Sequence, residues 1–375
     1  MNFKRLDTLV EGLYRRYGIP AYELIVYRGF DKVFHTACGY SDTNRTVPVS
    51  ENDIYWLFSE TKLYTAVAVM QLYERFLIDL DDPVSKWLPE YEHMTVRSGR
   101  RIVPAKNAVT VRRLLSMSVG LGYDQDSPHI KRLAGMNATT REIAAALAEQ
   151  PMTFEPGTHF RYNLCMDVLA ALVEVVSGMS FRDYLKKNIF EPLEISALDF
   201  DPDKLISNGH RLSALYRYDD QTERILPAAN VNRYRFGRKH QSGSAGLIGT
   251  AGDYIKLPQA LANGGTAASG VRILKHETIN LMRTDHMKYV MRKEFNQMKG
   301  QDYSYALGVR VRVKEGLREE PIGEFGWDGA AGALNLIDMD NRISIHYVQH
   351  VLDPYSWCDG LHDELRQTVY ECMFS

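Results

Sequence analysis

Hydrophobic spacing divides the chain into strand-bearing ends around a helix-rich middle. At the start, Phe3, Leu6, Leu9, Val10 and Leu13 share one face of a helix predicted from Met1 to Gly18. Two strand-like runs follow, over 21–27 and 32–40, and Arg28-Gly29-Phe30-Asp31 supplies the turn of a hairpin. Leu63, Ala66, Val67, Met70 and Leu72 then fall near helical spacing, predicting a helix that runs to Arg75. Asp79-Leu80-Asp81-Asp82-Pro83 reads as a capped turn, because its carboxylates lack the spacing of a calcium loop.

The middle carries helical periodicity over 110–117, 140–150, 163–177 and 181–189, punctuated at Gly120, Gly122, Pro151, Pro156 and Gly157. Residues 198–237 are polar, aromatic and without period, which predicts a long irregular connection. A further helix is predicted over 251–263. Strands are predicted over 305–314, 330–337 and 343–351, the last two joined at Asp338-Met339-Asp340-Asn341. A closing helix over 359–373 presents Leu361, Leu365, Val369 and Cys372 at helical spacing. This order predicts an α+β fold. Residues 1–78 and 240–375 form an α/β lobe, with an antiparallel sheet flanked by the terminal helices, and 79–239 form an inserted, mainly helical lobe. A small-molecule site is expected in the cleft between them, its shape set by 121–137 and 198–237.

Composition narrows the function classes. A hydrophobic fraction of 45% and a charged fraction of 25% are ordinary globular values. The formal net charge of −2 excludes a dedicated nucleic-acid binder. Arg233, Arg235, Arg238 and Lys239 form a local basic cluster that reads as a solvated loop. No run approaches the roughly 20 apolar residues of a membrane span, and residues 1–18 lack the apolar centre of a secretory signal. Cys38, Cys165, Cys358 and Cys372 are scattered, as buried thiols of a cytoplasmic protein would be. His346 and His350 lie four apart in a strand-like run, so they read as core or surface histidines. No metal and no cofactor is expected.

The candidate chemistry sits at Ser59-Glu60-Thr61-Lys62. A serine and a lysine three apart at a helix start lie on one face, beside the positive end of the helix dipole. Such a serine can be deprotonated and its acyl-enzyme oxyanion stabilised without a histidine. Taken alone, the tetrapeptide also fits an ordinary helix start with Ser59 as N-cap. The Gly243-Ser244-Ala245-Gly246-Leu247 run lacks the spacing of a dinucleotide-binding loop.

Further motifs fall in order around that tetrapeptide. They are Leu80-Asp81-Asp82-Pro83-Val84, the run from Val109 to Leu121, Pro156-Gly157 followed by Phe160-Arg161-Tyr162, Ser242 to Leu247, and Phe325-Gly326-Trp327-Asp328-Gly329. Together they resemble the serine β-lactamase and penicillin-binding protein superfamily, in its class C-like branch with the family VIII esterases. The likeness spans about Asp53 to Val351. It implies the β-lactamase/transpeptidase-like fold, with Ser59 as nucleophile and Lys62 and Tyr162 as its proton partners. Which of those two is the base stays open. It further implies an oxyanion hole from the backbone N–H groups of Ser59 and Ala330, on an edge strand. Asn163, Trp327, Asp328 and Gly329 would border the substrate.

Two departures from the family's pattern bear on substrate. Trp327-Asp328-Gly329 stands where penicillin-recognising members carry Lys-Thr-Gly, and the acid would repel a substrate carboxylate. Tyr162-Asn163-Leu164 lacks the amide two residues after the tyrosine. Both favour a carboxylesterase on small or acyl-chain esters. The other readings are a β-lactamase or D-amino-acid peptidase anchored by Arg233, Arg235 or Arg238, an acyltransferase, and a catalytically silent sensor. The expected partner is a small ester or amide, with no nucleic acid and no membrane. Oligomeric state is left open.

Overall fold

The computed structural model describes residues 1–122, 128–134, 137–316, 320–354 and 356–375. Its main sheet has seven antiparallel strands: β1 (Ala21–Arg28), β2 (Asp31–Gly39), β3 (Tyr303–Tyr305), β4 (Arg310–Arg312), β5 (Phe325–Gly326), β6 (Leu334–Asp338) and β7 (Ile343–Val348). Their order across the sheet is β3-β4-β5-β6-β7-β1-β2, so the two ends of the chain meet at the β7–β1 pair. Alternation assigns the faces. Leu24, Val26, Ile345 and Tyr347 pack against the terminal helices α1 (Lys4–Glu11) and, later in the chain, Cys358–Phe374. Ile25 and Val348 turn to the opposite face, which meets Tyr55, Ala251 and Ile255. The fold is α+β.

The helix expected after Ser59 is α2 (Thr61–Glu74), and it is not amphipathic in practice. Every residue from Thr61 to Leu72 is buried. Such all-round burial marks a helix in the middle of a large core. That core also takes in α3 (Cys165–Ser177), the short helix Val111–Leu115 and residues of β3 to β6. These helices and the sheet therefore share one continuous apolar interior, which fixes α2 relative to the sheet.

Several boundaries differ from the sequence reading, each for a local reason. The first helix breaks at Gly12, with a second piece at Leu13–Tyr17. The run over 305–314 is a hairpin, because Gly308 takes a positive φ of 84° and Ala306 N–H bonds Val309 O at 2.8 Å. The predicted strand over 330–337 begins only at Leu334, because 329–333 form a tight turn in which Gly329 N–H bonds Ala333 O. β5 is an interior strand, not an edge, since β3 and β4 extend the sheet beyond it. The 198–237 connection contains short strands that pair with Asp53–Trp56, Ile248–Gly249 and Val351–Leu352. Pairs of two to four residues are too short to leave a period in the sequence. Of the other expected pocket-shaping stretch, 121–137, residues 123–127 and 135–136 lie outside the described residues. Cys38 is exposed, whereas the other three cysteines are buried.

A charged cluster behind β5 ties the sheet together. The buried Arg310 guanidinium bonds Asp328 at 2.7 Å and Glu324 at 3.3 Å. Arg312 and Arg366 also face Glu324, at 3.4 and 3.5 Å. All three arginines lie over the Tyr303 ring, 4.8–5.4 Å from its centre. Breaking a buried pair strands its partner's charge. Arg310→Met is expected to lower unfolding free energy by about 3–5 kcal/mol, read by denaturant melts; a loss below about 1 kcal/mol would contradict the assignment.

Candidate active site

Ser59 lies on a short 3-10 turn, Phe58–Glu60, that runs directly into α2. Phe58 enters the turn at a φ of +47°, a strained value for a residue with a β-carbon. The strain is held by packing: Phe58 is buried and meets Tyr234 edge-on. One turn later, Lys62 directs its Nζ to Ser59 Oγ at 3.1 Å and to Ser244 O at 2.7 Å. The glycine run thus has a mechanical role. A β-carbon on Gly243 would meet Met166 O at 2.3 Å, so only glycine lets Ser244 come this close.

Tyr162 arrives on the loop that precedes α3, hung by backbone bonds. Gly157 N–H donates to Ser118 O at 2.7 Å and Arg161 N–H to Met117 O at 3.0 Å. The loop delivers the Tyr162 hydroxyl to 2.6 Å from Ser59 Oγ. Trp327 Nε1–H donates to that same hydroxyl at 3.0 Å, and the two rings pack 5.3 Å apart. Lys62 Nζ sits 4.6 Å from the centre of the Tyr162 ring. A hydroxyl, an amine and a phenol therefore converge in one volume.

Burial decides the state of the amine. Lys62 is completely enclosed, and desolvation drops its pKa to about 7, against smaller upward pulls from Asp167 and Cys165. With its pKa brought near neutrality, the amine 3.1 Å from Ser59 Oγ can exchange a proton with it. It can take the serine proton as Oγ attacks, while the Tyr162 hydroxyl is placed to hand a proton to the departing group.

Ser59, Tyr162, Trp327, Asp328, Gly329 and Ala330 all border one cavity of about 430 Å³. Ala330 is the second residue of the 329–333 turn and lies at the cavity wall with Ser59. Gly329 is confined, since a β-carbon there would stand 2.9 Å from Leu57 O and 3.4 Å from Glu60 Cγ. Glu60 itself is buried and meets His346 Nε2 at 3.1 Å, with the Tyr254 ring packed on the imidazole. Burial raises the Glu60 pKa, opposed in part by His346. His346 is thus a partner of the nucleophile turn. His350 lies beyond the strand, accepts from Trp56 N–H at 3.1 Å, and is pushed down to about 4 by burial.

The structure places two residues differently from the substrate roles expected of them. Asn163 does not border the cavity: its amide donates to Arg161 O at 2.8 Å and accepts from Cys165 N–H at 2.7 Å. It braces the loop that carries Tyr162. Asp328 does border the cavity, but its charge is not free to repel an anion. Burial opposes that charge, yet Arg310 and Lys299 outweigh it and hold the carboxyl far below its usual range. Of the three arginines weighed as anchors, none lines the cavity. Arg233 and Arg238 border other hollows, and Arg235 faces Asp201 at 3.7 Å.

Lys299, Asp359, His362 and Cys358 also line the cavity, and sequence reading missed them. They come from α4 (Tyr289–Lys299) and α5 (Cys358–Phe374). Their helical spacing signals only a packed face, so no local pattern could have assigned them.

Two substitutions probe this geometry. Tyr162→Phe removes the proton donor and is expected to lower kcat about 100-fold or more. Gly329→Ala displaces the turn that carries Ala330 and, if that turn supplies the expected oxyanion donor, should lower kcat about 100-fold with KM little changed. Steady-state ester kinetics reads both; a Gly329→Ala loss confined to KM would contradict the oxyanion assignment.

Sequence and fold comparisons agree with this geometry. The Beta-lactamase family model matches residues 6–356. Acyltransferase calJ of Penicillium decumbens is 26% identical over 353 residues, covering 84% of this chain and 80% of its own. Esterase EstB of Burkholderia gladioli is 28% identical over 277 residues, covering 68% of this chain and 69% of its own. Unliganded simvastatin synthase LovD from Aspergillus terreus superposes with a TM-score of 0.83 at 21% identity, covering 98% of this chain and 97% of its own. With most of its length matched and a Ser-Lys-Tyr centre in place, this chain belongs to the Beta-lactamase family, in the company of esterases and acyltransferases.

Proposed function

We propose that this chain is a serine hydrolase that cleaves small or acyl-chain carboxylic esters through an acyl-Ser59 intermediate. The observation that carries the reading is the convergence of Lys62 Nζ and the Tyr162 hydroxyl on Ser59 Oγ, at 3.1 and 2.6 Å. In the first half-reaction Ser59 Oγ attacks the ester carbonyl, its proton passes into the Lys62–Tyr162 pair, and the alcohol leaves with a proton. In the second, water attacks the acyl carbon and Ser59 regains its proton. An esterase relative at 28% identity supports ester cleavage.

Acyl transfer to an alcohol or amine uses the same first half-reaction and differs only in the acceptor. It is the second reading, supported by an acyltransferase relative that covers 84% of the chain. The β-lactamase or peptidase reading loses the anchors weighed for it, since the three arginines stand off the cavity. Among the described residues no helix is long and apolar enough to cross a membrane.

The test is turnover of short p-nitrophenyl esters with intact-mass detection of the acylated protein. Hydrolysis should fall at least about 1,000-fold in Ser59→Ala, with the mass adduct lost. Equal turnover by wild type and Ser59→Ala would overturn the proposal. Adding a primary alcohol separates the two readings: acyl transfer diverts the product to a new ester, hydrolysis yields the acid.

A further inference from the structure

We propose that Lys299 is a carboxylate anchor, so that the favoured substrates are esters bearing a carboxylate a short apolar stretch from the scissile bond. The inference rests on the acyl-Ser59 reading and names the substrate class of that site. Its starting point is the charge inventory of the cavity. Among the described lining residues, Lys299 is the one lysine or arginine.

Its two partners are unequal. Asp328 lies 3.2 Å from Lys299 Nζ but is bonded more closely by the buried Arg310, at 2.7 Å, and its side chain is only 11% exposed. Asp359 lies 2.8 Å from Nζ on the other side, and its side chain is 60% exposed. The Asp328 charge is thus already matched by Arg310. The remaining charge on Lys299 is matched by a carboxylate that water can take over at little cost, as exposed ion pairs contribute about 0–1 kcal/mol. An incoming carboxylate can replace Asp359 on Nζ without leaving a buried charge unpaired.

The proton state of the lysine suits this exchange. Burial works against its charge, yet Asp328 and Asp359 more than offset that and hold it above the ordinary lysine value. Trp327, Met298, Pro354 and Tyr234 line the same cavity as Ser59 and Lys299. An apolar spacer between ester and carboxylate would pack there. The acid that argued against anionic substrates in the sequence is thereby cancelled, and the cation that recognises them comes from α4.

Two matched pairs of esters test the proposal and locate the carboxylate. For the acyl side, p-nitrophenyl hydrogen glutarate is compared with p-nitrophenyl valerate. For the alcohol side, m-carboxyphenyl valerate is compared with phenyl valerate. The readout is the anionic-to-neutral ratio of kcat/KM. Lys299→Met should lower that ratio about tenfold in one pair, the loss of one charge-assisted contact. Asp359→Asn removes the competing carboxylate and should raise the same ratio about threefold. Because Asp359 is exposed, that variant keeps the test alive if Lys299→Met fails to fold. Ratios within about twofold of wild type in both pairs, while Ser59-dependent turnover persists, overturn the anchor alone. No Ser59-dependent turnover of any of the four esters overturns both readings.

Discussion

The site depends on a lysine amine kept out of water. An ammonium is strongly hydrated, and enclosing Lys62 within the shared core removes that hydration, so its proton becomes weakly held. The core that does this is built from α2, α3 and residues of the sheet strands, which is why the nucleophile helix is buried on every side. Catalytic reach follows from the same packing. Ser59 sits on the 3-10 turn that leads into α2, Ser244 closes on Lys62 through Gly243, and Tyr162 reaches Ser59 from the loop before α3. A looser core would hydrate the amine and restore its charge.

Two supporting layers lie around that amine. Beneath the 329–333 turn, Glu60 and His346 form a buried pair against which Gly329 is seated. Behind Trp327, Arg310 pins Asp328 within the Arg310–Glu324–Arg366 cluster. The first fixes the floor of the turn and the second fixes its approach. Both use buried charge where an apolar core would have served stability as well, which fits a role in geometry rather than in net stabilisation.

Much of this was legible in the sequence, and the limits are physical. Ser59, Lys62, Tyr162 and the Trp327-Asp328-Gly329 triplet stand on local motifs, and the structure brings them to one place. Long periodic helices such as α3 and α5 were found nearly to their ends, while the two-residue strands of 198–227 leave no period to read. The errors concern charge. Asp328 reads as an exposed anion until its partner Arg310, eighteen residues away in sequence, is seen on the neighbouring strand. Asn163 reads as a substrate ligand until both ends of its amide are found on backbone. Lys299 carries no motif, and only the fold sets it in the cavity that Ser59 borders.

The most direct measurement is the rate at which a fluorophosphonate labels Ser59, followed by intact mass across pH 5 to 11. If Lys62 is the base, as proposed, its neutral form is the reactive one, so the rate should rise with pH through a midpoint of about 7, toward which burial lowers Lys62, and then level off. A midpoint near the 10.5 of an unburied lysine, or a pH profile unchanged in Lys62→Met, would contradict the account.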